Sequence, residues 1–383
     1  MKKYIYLIAL WTISACSTPQ VKVGSTQEAE VGYPWDIPQT KPDRPLSAAM
    51  ERLYDNYLTP RPEDNELFSS FKYTKIKGLD YNDGDGTISR RDPSKIIKEN
   101  GKYYVWYTRR ATSTPPRGGK LANDTIPSTD WDLSEIWYAT SEDGFTWEEQ
   151  GVAVTRPEKP NAGYRSVSTP DILKWKGKYY LFYQGFYDAS GSKGGKKGGD
   201  NCPVAASYAD SPDGPWTHAN KEIIPNGKSG TWDQFSIHDP YPLVRDGKIH
   251  VYFKAAYGDR PEYLVGNGLA IADNPLGPYE KHPLNPLFNS GHETCLFPFK
   301  EGIAALTIRN GNEANTIQYA PDGVNFNIAS VTSLMPTAAG PYVPDAFTDT
   351  KDGRGISWGF ATLPTTEKTS RKATAFWHVL IVT

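Results

Sequence analysis

The chain has 383 residues, with 42 Lys and Arg against 44 Asp and Glu, for a formal net charge of −2. That length buries one large core or two ordinary ones, and so even a balance, with no basic stripe, excludes a nucleic-acid partner from the expectations. Aromatic residues make up 13%, with 34 Gly and 31 Pro beside them, a mixture suited to short strands, tight turns and flat rings for surface recognition.

The chain opens with MKKYIYLIALWTISAC. Two lysines, an apolar run from Tyr4 to Ile13 and then small residues read as an export signal, because such a run is too short to stay across a bilayer. Ile13-Ser14-Ala15-Cys16 resembles a bacterial lipobox, which makes Cys16 the lipidated first residue of the mature protein; a buried N-terminal helix is the other reading. The expectation is an exported bacterial lipoprotein, periplasmic or anchored to the outer membrane, touching the membrane only through its lipid. Residues 17–32 are polar and read as a flexible tether. Within 33–70, LSAAMERLYDNYL places Leu46, Met50, Leu53 and Tyr57 on one face of a predicted helix. The main domain is expected over 71–383.

Residues 81–92, YNDGDGTISRRD, resemble a calcium-binding EF-hand loop from Asp83 onward, with Asp85 and Gly86 in place. Tyr81 stands where the first ligand belongs, and Asp92 where a bidentate Glu belongs. The segment leads into a strand pattern, so Gly/Asp turn chemistry explains it better.

Five stretches then share an acid, an apolar run, a Gly-containing turn and an aromatic-rich run. Their acids are Asp92, Asp171, Asp239, Glu293 and Asp345, and their turns are ENGK, KGK, RDGK, KEG and KDGR. Alternation such as Tyr-Leu-Phe-Tyr favours strands over helices. Further apolar strands follow each stretch, as in EIWYATSEDGFTW and PVAASYADSPDGPW. Four strands repeated five times predict an all-β, five-bladed β-propeller with an N-terminal helical extension. Residues 190–200, SGSKGGKKGGD, read as a flexible insertion. Cys202 and Cys295 either form a disulfide or remain free thiols.

An acid at the start of an innermost propeller strand points toward the central funnel, so several of these acids are expected to converge. Clustered carboxylates push each other's pKa values apart and can leave one as base and another as acid. Each acid alternatively caps a turn in its own blade, and Asp171 and Asp345, both in Pro-Asp steps, are read as structural. Only 6 His occur, yet His238 and His292 immediately precede two of the acids, where a carboxylate neighbour can tune them for proton transfer. Zinc would need three protein ligands at one centre, and no HExxH-like spacing exists, so the sequence leaves any metal open. Trp131, Thr169, Gln184 and Trp232 suit sugar faces and hydroxyls.

SAAMER (47–52), SRRDPSKII (89–97), STPDI (168–172), SIHDPYP (236–242) and SGHETCLFP (290–298) together resemble glycoside hydrolase family 117, over nearly all of the chain from Tyr33. The resemblance implies a five-bladed propeller releasing 3,6-anhydro-L-galactose from the non-reducing end of neoagarobiose and related agar fragments, with inversion. It implies Asp92 as general base, Asp239 and Glu293 as supporting carboxylates and His292 as an unusual general acid. Thr169, Gln184, His238 and Trp131 match sugar-contacting positions. An inverting pair stands roughly 6.5–9.5 Å apart to admit water. Glu293 is the conventional alternative acid, since neighbours on a regular strand point opposite ways and only one can face the bond. Ser47, Ala49 and Arg52 match the SxAxxR pattern of a segment exchanged in a homodimer. No cofactor is required by the chemistry, although a divalent cation near the site is described for the family. The competing readings are another propeller glycosidase, such as an α-L-arabinofuranosidase, and a non-catalytic carbohydrate-binding lipoprotein.

Overall fold

A computed structural model describes residues 38–55, 68–79, 84–190, 201–228, 230–234, 236–256, 266–333, 335–362 and 376–382. The export signal with Cys16, the tether, Tyr57, Tyr81 and Asp83, and most of the Gly/Lys-rich insertion lie outside these residues. No helix among the described residues is long and apolar enough to cross a membrane.

The regular structure of the described residues is almost entirely β, in a propeller-like series of mostly antiparallel sheets. The first sheet runs Ile88–Arg91, Lys102–Ala111, Glu135–Ser141 and Glu148–Val154, with Ile97–Glu99 also pairing on Lys102–Ala111. The second runs Ser166–Trp175, Lys178–Phe186, Val204–Ala209 and Thr217–His218. The third runs Ser236–Arg245, Lys248–Ala256, Gly266–Ala272 and Glu280–Lys281. Beyond these, Cys295–Lys300, Gly302–Thr307, Thr316–Ala320 and Asn327–Ser333 form one meander. Ala338–Pro341, Trp358–Thr362, Phe376–Val382 and Phe68–Lys75 form another.

Five separate blades were expected, but the described strands make four large sheets and a two-stranded ribbon. The reason is one parallel pairing. Phe68–Ser70 lies beside Val331–Ser333 and fuses the last two meanders into a nine-stranded sheet. The expected helical extension also shrinks, among the described residues, to the five-residue helix Ala48–Arg52. Ser47 caps it by accepting from the Met50 amide at 3.3 Å, and Leu46, Ala49 and Met50 bury against the core. The end of the 33–70 span is already strand, from Phe68 onward.

The turns follow from local chemistry. Asn100-Gly101, Lys176-Gly177 and Asp246-Gly247 all take positive φ at both residues, as the tightest right-twisted hairpins require. KDGR differs: Gly353–Arg354 pairs with Phe299–Lys300 instead of closing a hairpin. In the former EF-hand candidate, the Asp85 carboxylate accepts from the Thr87 amide at 2.8 Å, and Arg110 donates to the Gly86 and Thr87 carbonyls at 2.7 and 2.8 Å. This is a side-chain-capped turn feeding Ile88–Arg91. Buried rings such as Trp106, Phe182, Phe253 and Phe288 fill the interior, each contributing about 1.5–3 kcal/mol on burial.

Candidate active site

Four residues share one unusual backbone state at the same step of four successive units. Asp92, Thr169, Asp239 and Glu293 have φ of 51, 45, 50 and 59°, the left-handed region that costs an ordinary residue roughly 1–2 kcal/mol. Three of them precede a proline (Pro93, Pro170 and Pro240), which cannot donate to the ladder. The strand pairing slips there, between Ser168 and Asp171 and between His238 and Tyr241. The bulges turn these side chains into one cavity of about 30 Å³ open to solvent, lined also by Asp171, Tyr241, Cys295, Ala338 and Ala339.

Two of the five acids therefore do not hold the expected position. In the second sheet Thr169 occupies the step, and Asp171 lies two residues on, where it accepts from the Lys95 amide at 2.9 Å and pairs with Lys95 Nζ at 2.5 Å. Asp345 is outside the cavity lining and is clamped by Arg354 at 2.6 Å; the last unit offers Ala338 and Ala339 instead. The acid was the wrong landmark for aligning the repeats, and the residue-proline step was the right one. Cys202 and Cys295 are both buried thiols with no disulfide between them; Cys295 donates to the Ala339 carbonyl at 2.9 Å.

The three carboxylates at this step, Asp92, Asp239 and Glu293, are interleaved with cations. Arg91 Nε donates to Asp92 Oδ2 at 2.6 Å, and the same guanidinium lies 3.6 Å from Glu293 Oε1. It also stacks 4.7 Å from the Trp131 ring, so Trp131 borders the site through Arg91. Lys254 Nζ lies 3.3 Å from Asp239 Oδ2, which also accepts from the Glu293 amide at 2.8 Å. Gln184 donates to Asp239 Oδ1 at 2.8 Å while its carbonyl oxygen accepts from Ser168 at 3.0 Å. Both ends of that amide are thus engaged, and Gln184 acts on Asp239. Thr169 Oγ1 donates to Asp92 Oδ2 at 3.4 Å. Trp232, expected among the sugar-facing rings, is 2% exposed and stacks on Phe253 in the core.

Glu293 is the most perturbed acid. Burial, then the Asp92 charge, pushes its carboxyl up from 4.5 to about 8, against the pull of Arg309 and Arg91. Its Oε1 faces Arg309 Nη2 at 3.2 Å, whereas Oε2 is buried without a hydrogen-bond partner among the described residues. A proton on Oε2 suits that arrangement. Arg309 also lies 3.2 Å from His292 Nε2. An arginine only donates, so Nε2 must accept and carries no proton in this state. Burial, followed by the charges of Lys254, Arg309, His238 and Arg91, holds His292 well below its ordinary value. His238 is likewise held down, by burial and Lys254, and its Nε2 is buried without a partner among the described residues.

Sequence reasoning missed Arg91, Lys254 and Arg309. Lys254 had a signal, as the lone charge in the otherwise apolar and aromatic run His250–Ala255. Arg309 had none, because it meets His292 only through the pairing of Ser290–His292 with Arg309–Gly311. Among the described residues no group of three or more His, Cys, Asp and Glu gathers as a metal site, and the carboxylates face Arg91, Lys254 and Arg309. That arrangement does not fit a divalent cation.

A buried protonated carboxyl beside a second carboxylate is the equipment of acid–base glycoside cleavage. Neither a family model nor a curated protein sequence matches this chain. A solved structure does: Zg3597, a family 117 glycoside hydrolase produced by the marine bacterium Zobellia galactanivorans, is 61% identical over 83% of this chain and 92% of its own, with a TM-score of 0.76. The chain belongs to glycoside hydrolase family 117. It is therefore a glycoside hydrolase by family. A GH43 β-xylosidase/α-arabinofuranosidase from a compost microbial metagenome, in complex with xylotriose, is 15% identical over 82% of this chain and 94% of its own, at a TM-score of 0.52. Another solved structure, described simply as a glycoside hydrolase, is 15% identical over 81% of this chain and 92% of its own, at a TM-score of 0.56. These two share the fold with the family 117 chain and nothing finer.

Proposed function

We propose that this family 117 enzyme removes 3,6-anhydro-L-galactose from the non-reducing end of neoagarobiose and neoagarooligosaccharides, cleaving the α-1,3 linkage with inversion. The observation carrying this reading is the pair of carboxyl groups in one cavity, Asp92 bound by Arg91 and Glu293 pushed up to about 8. Asp92 activates water, and Glu293 gives its proton to the departing oxygen. The resemblance had pointed to His292 as the acid. Its Nε2 accepts from Arg309 and it resists protonation, which favours Glu293 for the proton and leaves His292 to hold the sugar. Asp239 supports both carboxyls, Gln184 holds Asp239, and Thr169, His238 and Trp131 border the sugar.

Export and lipidation at Cys16, work on agar fragments, and independence of any cofactor belong to the same reading. So does a homodimer in which the segment with Ser47, Ala49 and Arg52 is exchanged into the socket it occupies here on its own chain. The experiment is incubation of the protein and its Asp92→Asn variant with neoagarobiose, following the anomeric protons by NMR. Release of the anhydro sugar with inverted configuration, absent from the variant, is expected. Cleavage of aryl arabinofuranosides alone would point to another glycosidase, and binding without turnover to a carbohydrate-binding protein.

A further inference from the structure

The strands Ser290–His292 and Arg309–Gly311 form a ribbon of two three-residue strands, with His292 directly opposite Arg309 and Ser290 opposite Gly311. So small a ribbon cannot hold its own geometry in water. Yet it carries the guanidinium that touches both His292 and Glu293. What fixes it lies at its other end.

Glu313, fully buried, follows the ribbon's second strand, and its amide donates to Ser290 Oγ at 2.7 Å. Its carboxylate takes both prongs of Arg52, Nε to Oε1 at 2.8 Å and Nη2 to Oε2 at 3.0 Å. Asn289 and Gln318 donate to the same carboxylate at 3.0 and 2.8 Å. The helix Ala48–Arg52 grips the approach to the first strand as well. Asn289 Nδ2 donates to the Ala49 carbonyl at 2.8 Å, and Ser47 Oγ donates to the Pro286 carbonyl at 2.7 Å. There is no slack between the strands: a Cβ on Gly311 would sit 2.3 Å from the Asn289 carbonyl oxygen. The N-terminal helix thus holds both strands at the end remote from His292.

We propose that Ala48–Arg52 is a positioning element of the active site: the Arg52–Glu313 fork, acting through Ser290, sets the ribbon that places Arg309 against His292 and Glu293. Arg52 and Glu313 touch no substrate and are positioning residues. The effect on turnover rests on the glycosidase reading above; the effect on His292 does not. Lys254, Arg309, His238, Arg91 and Glu293 face the His292 ring, and of these only Arg309 rides on the second strand of the ribbon.

The test uses Arg52→Ala, Arg52→Lys and Glu313→Gln in the full chain. The first readout needs no substrate: ring nitrogen shifts of His292 followed against pH, assigned by their loss in His292→Gln. In the wild type Nε2 is a bare lone pair and the ring resists protonation. In Arg52→Ala and Glu313→Gln the Arg309 contact loosens, and the titration moves up toward the ordinary 6.5. The second readout is turnover of neoagarobiose, where kcat falls about tenfold from small misplacement and KM changes little. Arg52→Lys, keeping the charge without the fork, recovers part of both signals. Variants that unfold cooperatively as the wild type does, with unchanged His292 nitrogens and kcat, would overturn the proposal. So would activity losses that vanish on cooling, which mark a merely structural pair. If Arg52→Ala fails to fold, Arg52→Lys decides. If the wild type never cleaves neoagarobiose, the functional reading fails and the nitrogen shifts still decide this inference.

Discussion

His292 and Glu293, adjacent in sequence, approach within 3.5 Å through Nε2 and Oε1 and share the single guanidinium of Arg309. On a regular strand they would point to opposite faces. The φ of 59° at Glu293 removes that alternation and brings both side chains to the same guanidinium, with Glu293 lining the cavity. The pair then divides its labour electrostatically: the imidazole is held neutral and the carboxyl is held protonated.

That division gives a pH dependence. Glu293 keeps its proton below about 8 and loses it above. Turnover of neoagarobiose is therefore expected to fall on the alkaline side near that value. Glu293→Gln should lower kcat by about 10²–10⁴-fold and abolish that limb, while His292→Ala keeps it. A His292→Ala variant lacking the limb, or a Glu293→Gln variant near wild-type rate, would return the acid role to His292.

The same carboxyl links stability to pH. Its folded value is raised from 4.5 to about 8, so the folded state retains a proton the unfolded chain has released. The contribution is complete below the ordinary value and is lost as pH rises through about 8, a change on the order of a few kcal/mol. Urea midpoints measured from pH 5 to 9 should fall in the wild type more steeply than in Glu293→Gln.

Asp92→Asn should cost about 10³-fold in kcat with a melting temperature close to the wild type, since asparagine still accepts from Arg91. Asp239→Asn should lose stability as well as rate, because it leaves the buried Lys254 ammonium without its countercharge. Paired kinetics and calorimetry separate the two outcomes.

Lys95 and Asp171 sit wholly buried at the edge of the cavity, and Lys95 also donates to the Ile172 and Pro242 carbonyls at 3.1 and 3.0 Å. One ammonium thus ties the first three sheets together. Lys95→Met alone should cost about 3–5 kcal/mol by stranding Asp171, and Lys95→Met with Asp171→Leu should cost less than the sum of the singles. Denaturant titration of the three variants checks this.

Much of this arrangement was legible in the sequence, and the omissions have physical causes. The hairpins at Asn100-Gly101 and Asp246-Gly247 were visible because few dipeptides tolerate positive φ at both residues. Asp92, Asp239 and Glu293 were visible as repeated acids. Thr169 was recognised only as a sugar-facing hydroxyl, because its equivalence to those acids lies in backbone conformation and not in charge. The fusion of the last two meanders depends on strands from opposite ends of the chain, which local pattern cannot register. Arg309 and Glu313 act through cross-strand neighbours that no spacing rule relates to His292 or Arg52.

The strand Phe68–Lys75 is synthesised long before its antiparallel partner Phe376–Val382, with the other sheets made in between. During translation one side of that strand waits with unpaired amides and carbonyls, open to any stray edge. That seam therefore closes only once Phe376–Val382 has emerged, after every residue lining the cavity has already been made.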